Sequence, residues 1–500
     1  MNRHKNLMVN YLSSHKSSSP GSGEHTKRKT PTDTTSGSRR ASNPPRHGAQ
    51  LSSKFSSRMS QRKATVHDIP DEVLLKVFSF FGAQDLILVS QVCQRWRNLA
   101  NDKFVYSSLW RPIFLKYAPK SEVEASRAGD FTSVSHLKTT CIRRCVEQRN
   151  KRVFRNLRKK SPYTGISQQR DVEKALIDSC VFWQLAFVDA SDNEMCIQND
   201  DVSVHTMAAS VRWYNFSGQS LHSTKFLRIY SCNPIFFDAK KGCAVKDSPY
   251  QRSVLMTFPL KWSSWVGTNK PIGENDTVNL YCLPRGLAIA VWKDGGEVAF
   301  VCVGLHLHHL VDRCLRGNSL EPFCPPVPPV LTDDIDSAFG LHGYNCTVQL
   351  RTMKQQIWDQ QFRGLNCHSN TGGGYAQFIL IEPHERQIIN KAIVFPWKTE
   401  AFKGKIKNAC WLDITVIDET GEVFWTVSSL VCSKTAQRAG ASSLDFDYCD
   451  DNSRSIDFID EVGKFHLEFS ETDDQDMYIT QAVLGLTLKA INTRFSSSCR

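Results

Sequence analysis

Three histidines stand almost together at positions 306, 308 and 309, just beyond a cysteine at 302. The surrounding run Glu297–Leu307 has the apolar texture of a strand, and on a strand residues two apart share a face. Cys302, His306 and His308 would then line up while His309 turns to the other side. Imidazole and thiolate both bind zinc, so these three are weak candidates for a metal site. Zinc wants three or four ligands, each oriented by a hydrogen-bonding neighbour, and the spacing supplies no further ligand. A hydrogen-bonded cluster beside a sheet is the plainer reading. Cys141 and Cys145, neighbours on one expected helix, also lack two more partners. Asp333, Asp334 and Asp336 form one acidic patch, and Asp445, Asp447, Asp450 and Asp451 another. Neither has the spaced oxygens and glycine of a calcium loop. The chain contains no G-x-S-x-G, no phosphate-binding Gly-Lys loop, no dinucleotide fingerprint and no H-E-x-x-H. No catalytic residue is assigned and no cofactor is expected.

The elements that would position these groups change character along the chain. From about Trp183 onward short apolar or alternating runs recur, including Leu227–Tyr230, Ser253–Phe258, Leu287–Trp292, Cys346–Leu350, Trp411–Ile417 and Ala482–Leu488. Glycine-, proline- and aspartate-rich turns separate them, and Trp292–Glu297 (WKDGGE) reads as a hairpin connection. About a dozen such strands predict an antiparallel sandwich or barrel. Phe323–Val330 is too rich in proline for a central strand and reads as an extended connector. No leucine-rich, WD or kelch period recurs.

With 500 residues the chain has room for several domains, and 41% apolar with 22% charged residues suits a globular protein. The formal charge of +12 sits at one end. Residues 1–63 hold 13 of the 62 basic residues and 2 of the 50 acidic ones, leaving 49 against 48 elsewhere. The excess therefore belongs to a serine-rich tail that cannot bury enough apolar area to offset its chain entropy. Arg39-Arg40-Ala41-Ser42 in this tail could serve a basophilic kinase, and Lys27-Arg28-Lys29 a nuclear address. A basic nucleic-acid face is not expected on the rest. Seventeen cysteines without a C-x-x-C pair, and a first segment with no apolar run before a cleavage site, argue for free thiols in a cytoplasmic or nuclear protein. No run is long enough to span a membrane.

Between the tail and the strands the period is helical. Pro70 suits the first position of a helix, Asp71 and Glu72 its first turn, and Leu74, Val77, Phe78 and Phe81 follow as one stripe. Gly82 suits the end of that helix. Gln84–Val89 is apolar nearly all round, and Val92, Trp96 and Leu99 repeat helical spacing. Three short helices cannot hide that much apolar surface among themselves, so an external partner is expected. Arg149–Lys160 is a basic stretch in which Val153, Phe154 and Leu157 would share one helix face.

The ordered set Ile69-Pro70-Asp71-Glu72-Val73-Leu74, Lys76-Val77-Phe78, Asp85-Leu86, Val92-Cys93-Gln94-Arg95-Trp96 and Leu109-Trp110 resembles an F-box. Strings spread from 161 to 425, among them Leu305–Val311 and Phe424–Trp425, resemble the F-box-only class. The resemblance implies an α+β chain with a basic tail at 1–63, a three-helix F-box at 66–112, a helical basic linker at 113–175 and a β-rich target-recruiting domain at 176–495. It implies docking on the Skp adaptor, and through it on the cullin and RING subunits of an SCF ubiquitin ligase, with an unidentified protein as target. The adaptor-contacting residues it implies are Ile69, Pro70, Leu74, Val77, Phe78, Leu86, Val89, Val92, Cys93 and Trp96. Neither a membrane nor a nucleic acid is implied as partner. Two alternatives stay open: an enzyme or a metal- or ligand-binding β-domain that merely carries an F-box, and an F-box scaffold working without the cullin.

Overall fold

Helices open the described part of the chain in a computed structural model, which covers residues 68–105, 108, 111–112, 134–157, 159–216, 221–238, 243–245, 248–327, 341–367, 374–382, 384–385, 387–389, 391–436, 453–471 and 477–494. The tail at 1–63, both acidic patches and Leu109-Trp110 lie outside these residues, as does the side chain of Cys141. The described residues up to 108 form one compact unit and those from 111 onward a second.

In the first unit α1 spans Asp71–Phe78, α2 Ala83–Val89 and α3 Gln94–Ala100. Pro70 stands just before α1 with ψ 151°, and Asp71 and Glu72 favour the positive end of its dipole. The helix stops at Phe78, earlier than the apolar stripe suggests, because Ser79 caps it by donating its Oγ–H to the Lys76 carbonyl at 2.7 Å. Gly82 does not end α1. It starts α2 with φ −75°, and its N–H donates to Asp85 Oδ2 at 3.2 Å. Cys93 Sγ accepts the Trp96 N–H at the start of α3. Arg95 then ties α3 back to the start of α1, donating from Nε to Asp71 Oδ1 at 2.8 Å and from Nη2 to the Ile69 carbonyl at 2.6 Å.

The second unit begins with α4 (Val134–Phe154) and α5 (Gln169–Asp178). Strands β1 (Phe182–Asp189), β2 (Glu194–Gln198), β5 (Thr224–Pro234) and β8 (Tyr250–Pro259) form a sheet in the order β2-β1-β5-β8. Strands β3 (Asp201–Val204), β4 (Ala208–Trp213), β9 (Val278–Leu283), β10 (Leu287–Trp292) and β11 (Val298–His306) form another in the order β3-β4-β11-β10-β9. Short strands β6 (Phe237–Asp238) and β7 (Cys243–Ala244) pair with each other. Between the two sheets lies a core of Trp183, Leu185, Ile229, Trp213, Ile289 and Val303. Val153 of α4 and Val172, Ala175 and Leu176 of α5 are buried in that same core. These helices therefore complete the sandwich and share its stability.

The third sheet holds β12 (Tyr344–Arg351), β13 (Gln356–Leu365), β14 (Tyr375–Ile381), β18 (Ala409–Ile417), β19 (Val423–Thr435), β20 (Ser453–Ile459), β21 (Gly463–Glu471) and β22 (Met477–Thr487). Its order is β13-β12-β18-β19-β20-β21-β22-β14, with β15 (Gln387–Ile389) also on β22, and it curls into a nearly closed barrel. Phe378, Ile414, Phe465 and Leu484 fill the inside. A hairpin of β16 (Val394–Lys398) and β17 (Lys403–Lys407) lies apart from it. Among the described residues every strand pair is antiparallel, as the turn-separated runs predict, and β10 and β11 are joined by the expected hairpin.

Strands β10 and β11 are apolar at nearly every position because both of their faces are covered. Leu287, Ile289, Val301 and Val303 face the sandwich core, whereas Ala288, Ala290, Phe300 and Cys302 pack with Trp411, Phe395 and Trp397. Gly304 permits this close approach: a Cβ there would stand 2.4 Å from Ser428 Oγ and 2.7 Å from the Trp411 ring. The seam between the sheets also holds one fully buried ion pair, Arg351 Nε to Asp413 Oδ2 at 2.5 Å. Ser428 donates to Asp413 Oδ1 at 2.7 Å, and Arg351 Nη1 donates to Ser210 Oγ of β4 at 2.9 Å. Every charged atom there has partners, which makes burial tolerable.

Candidate functional site

The first unit divides the ten expected docking residues into two kinds. Leu74, Phe78 and Leu86 are buried within the three helices. Phe78 is 2% exposed; its ring stacks on Phe81 at 5.5 Å and meets the edge of Trp96 at 5.7 Å. These residues build the bundle. Ile69, Val89, Cys93 and Trp96 are half-buried and Pro70 is exposed. Val77 is 43% and Val92 63% exposed.

Three further large apolar residues outside that set face solvent. Val73, at 50% exposure, lies one turn before Val77 on the same side of α1, and Phe80, at 76%, follows in the turn after the helix. With Phe104, at 49%, five large apolar side chains are left in water on so small a unit, the mark of a docking surface. Phe80 was legible as an aromatic in the sequence, but the stripe rule selects Phe81 in its place. The turn after α1 displaces that stripe, and Phe81 stacks inward on Phe78. The Lys76 ammonium sits 5.3 Å over the Phe80 ring, leaving the rest of the ring open.

The histidine cluster does not form a metal centre. Strand β11 ends at His306, so His308 lies past the strand and no longer shares its face. His306 is buried, its Nε2 3.0 Å from Thr415 Oγ1, while its Nδ1 accepts the His308 N–H at 3.2 Å. Both ring nitrogens are thereby engaged. Burial pushes the pKa of each of these two histidines down to about 3, so both stay neutral. His309 adopts the left-handed conformation, φ 52°, and its Nδ1 is 3.6 Å from Asp312. Cys302 lies instead in the apolar core with Trp411. Among the described residues no group of three or more His, Cys, Asp or Glu could hold a metal ion.

Burial has a similar effect on the cysteines. The thiols of Cys302, Cys314 and Cys410 are pushed up to about 12, opposite to what a nucleophile requires. Of the described basic side chains in the basic stretch, Lys151, Arg152, Arg155, Lys159 and Lys160 are exposed and only Arg149 enters the fold. Arg149 is buried and donates from Nη1 to the Pro234 carbonyl at 2.6 Å, and Arg152 stands over the Phe237 ring. Val153 is in the core, with Phe154 and Leu157 packed against it, as their shared helix face predicts. Among the described residues no helix is long and apolar enough to cross a membrane.

Comparison with known proteins agrees with the helical unit and extends beyond it. Residues 66–116 match the F-box-like family. F-box only protein 15 of Macaca fascicularis is 29% identical over 86% of this chain and all of its own length. The protein of that name from Homo sapiens is 28% identical over 86% of this chain and 85% of its own. F-box/LRR-repeat protein 12 of Mus musculus is 44% identical, but over only 10% of this chain and 15% of its own length. The last likeness is confined to 52 residues, whereas the first two cover most of the chain. The chain thus carries an F-box-like match at residues 66–116 and is similar over most of its length to F-box only protein 15.

Proposed function

We propose that this protein is the target-receiving subunit of an SCF-type ubiquitin ligase. The helices at 66–112 dock on the Skp adaptor, which links them to the cullin and RING subunits, and the strand-rich unit holds the protein to be modified. The uncovered apolar face of Val73, Val77, Phe80 and Val92 carries this reading, since a buried heterodimer core needs such aromatic and aliphatic anchors. Pro70, Ile69, Val89, Cys93 and Trp96, exposed or half-buried, belong to the docking set that the resemblance implies. Leu74, Phe78 and Leu86 act indirectly, by holding the helices that present it.

The chemistry is one of proximity. A target lysine held near a ubiquitin-loaded conjugating enzyme gains effective concentration, and that needs no acid, base or nucleophile on this chain. The neutral buried histidines and high-pKa thiols are consistent with a receptor that does no chemistry itself.

The test is reconstituted ubiquitylation with adaptor, cullin, RING subunit and the intact chain, against the same mixture containing a Phe80→Ala/Val92→Ala variant. Loss of adaptor binding and of target modification together supports the reading. Full adaptor binding by the variant overturns the docking surface, and a ubiquitin thioester on this protein moves it to the catalytic ligases.

A further inference from the structure

The strand-rich unit contains a cavity of about 380 Å³ between β4, the turn after β12 and the β16–β17 hairpin. Its volume is near the lower end of the ~300–1,000 Å³ usual for ligand pockets, room for one or two side chains. The cations around it are Arg212, Lys354, Lys398, Lys403 and Lys405, and no acidic residue lines it. Met353, Pro396 and Trp397 supply apolar wall, together with the lysine stems. Behind the wall, Asp201 pairs with Arg212 and lies 3.6 Å from the Lys398 ammonium. Asp200 and Glu400 also lie near Tyr214, over whose ring Lys398 sits, so three nearby carboxylates face five cations.

The wall is built and rigid. Trp397 is buried, stacks on Phe300 and meets the edge of Trp292, each at 5.7 Å. Gly404 lies against its indole, where a Cβ would come within 2.7 Å of the ring. Met353 is held by the Trp411 N–H at its sulfur. Two donors of the lining residues, Trp397 Nε1–H and Arg212 Nε–H, are buried with no hydrogen-bond partner, although Arg212 is 6% exposed and Trp397 5%. Neither atom has accessible surface of its own, so both belong to the wall and not to the surface a ligand would touch.

We propose that this pocket takes an anionic side chain flanked by an apolar one, on an extended acidic segment of a target protein. The peptide class rests on the receptor reading above, whereas the anionic and apolar chemistry rests on the pocket alone. A nucleic acid is disfavoured because binding a phosphate backbone needs a long basic track. Here the chain outside the tail is nearly balanced, with 49 basic and 48 acidic residues, and the cavity gathers five of the basic ones. The anion can come from Asp or Glu or from a phosphorylated serine, both of which suit lysines at a rim.

The experiment uses the intact chain and three fluorescent peptide libraries with a central Leu or Trp: one flanked by Glu, one by phosphoserine and one by Gln. Preferential binding of the Glu library, the phosphoserine library or both over Gln supports the proposal and tells the two anions apart. The Lys403→Glu/Lys405→Glu variant changes two exposed lysines and leaves Trp397 packed; it should weaken that binding at least about tenfold. Equal binding of all three libraries, no binding, or binding unmoved by the variant overturns it. A single-stranded RNA displaced by the variant while the peptides fail also overturns it. Adaptor affinity measured on the same samples separates the two readings: it should be unchanged by Lys403→Glu/Lys405→Glu, and its absence in the unaltered chain would count against the receptor reading alone.

Discussion

Phe80→Ala should weaken adaptor binding without unfolding the helices, whereas Phe78→Ala should unfold them and lose binding as a consequence. Complete burial of a phenylalanine side chain is worth about 1.5–3 kcal/mol. Phe80 keeps 76% of its surface in water, so roughly three-quarters of that gain, about 1–2 kcal/mol, is still to be realised on docking. The affinity should therefore fall about five- to thirtyfold. What Phe80 gives the isolated fold is small: the remaining quarter of its surface and the exposed Lys76 contact, together on the order of 0.5–1 kcal/mol. Phe78 is 2% exposed and packed between Phe81 and Trp96, so truncating it should cost about 3–5 kcal/mol of stability. For a three-helix unit of this size that is enough to unfold it. Titration calorimetry with purified adaptor measures the first effect, and amide hydrogen exchange over residues 68–105 measures the second. An undiminished affinity for Phe80→Ala, with native exchange, would refute the assignment of the open face to the adaptor. Lost binding by Phe78→Ala with native exchange would show that Phe78 itself makes the contact.

At the seam between the sheets, Asp413→Ala leaves Arg351 charged and buried and should cost about 3–5 kcal/mol in urea unfolding, while Arg351→Met/Asp413→Leu should recover most of it; equal losses in the two variants would show that packing dominates. His306 stays neutral in the fold down to about pH 3 but titrates at its ordinary value when unfolded, so the unfolded chain takes up the proton first on acidification. Its contribution is complete above about pH 6.5 and falls by about 2 kcal/mol between pH 7 and 5; His308 adds a similar loss, so His306→Asn should remove about half of the histidine-dependent fall in a comparison of stability against pH. A fragment beginning at 176 lacks Val153, Ile166, Val172 and Ala175 and should lose on the order of 5 kcal/mol relative to one beginning at 134; coincident melting curves would show that α4 and α5 are dispensable.

Periodicity and motif order were sufficient for the local and repetitive features: three short helices after Pro70, then antiparallel strands punctuated by turns. Such features depend on residues near one another in the chain, and the F-box resemblance rests on the same short range. Which faces are covered is a matter of packing between distant segments, and there the tertiary structure decided. Phe78 and Phe80 are two residues apart and chemically identical, yet one is core and the other surface, because α1 ends at Ser79 and turns. His306 and His308 look like paired ligands until the strand ends at His306 and Thr415, more than a hundred residues away, engages the first ring. Arg149 reads as a solvated charge, but Pro234 supplies a carbonyl for its buried guanidinium. The cationic cavity collects Arg212, Lys354, Lys398, Lys403 and Lys405 from three separated stretches, none of them notably basic in the sequence except the short hairpin. A hydrogen bond or a field from several charges is set by distance in space, and only the folded chain contains that information.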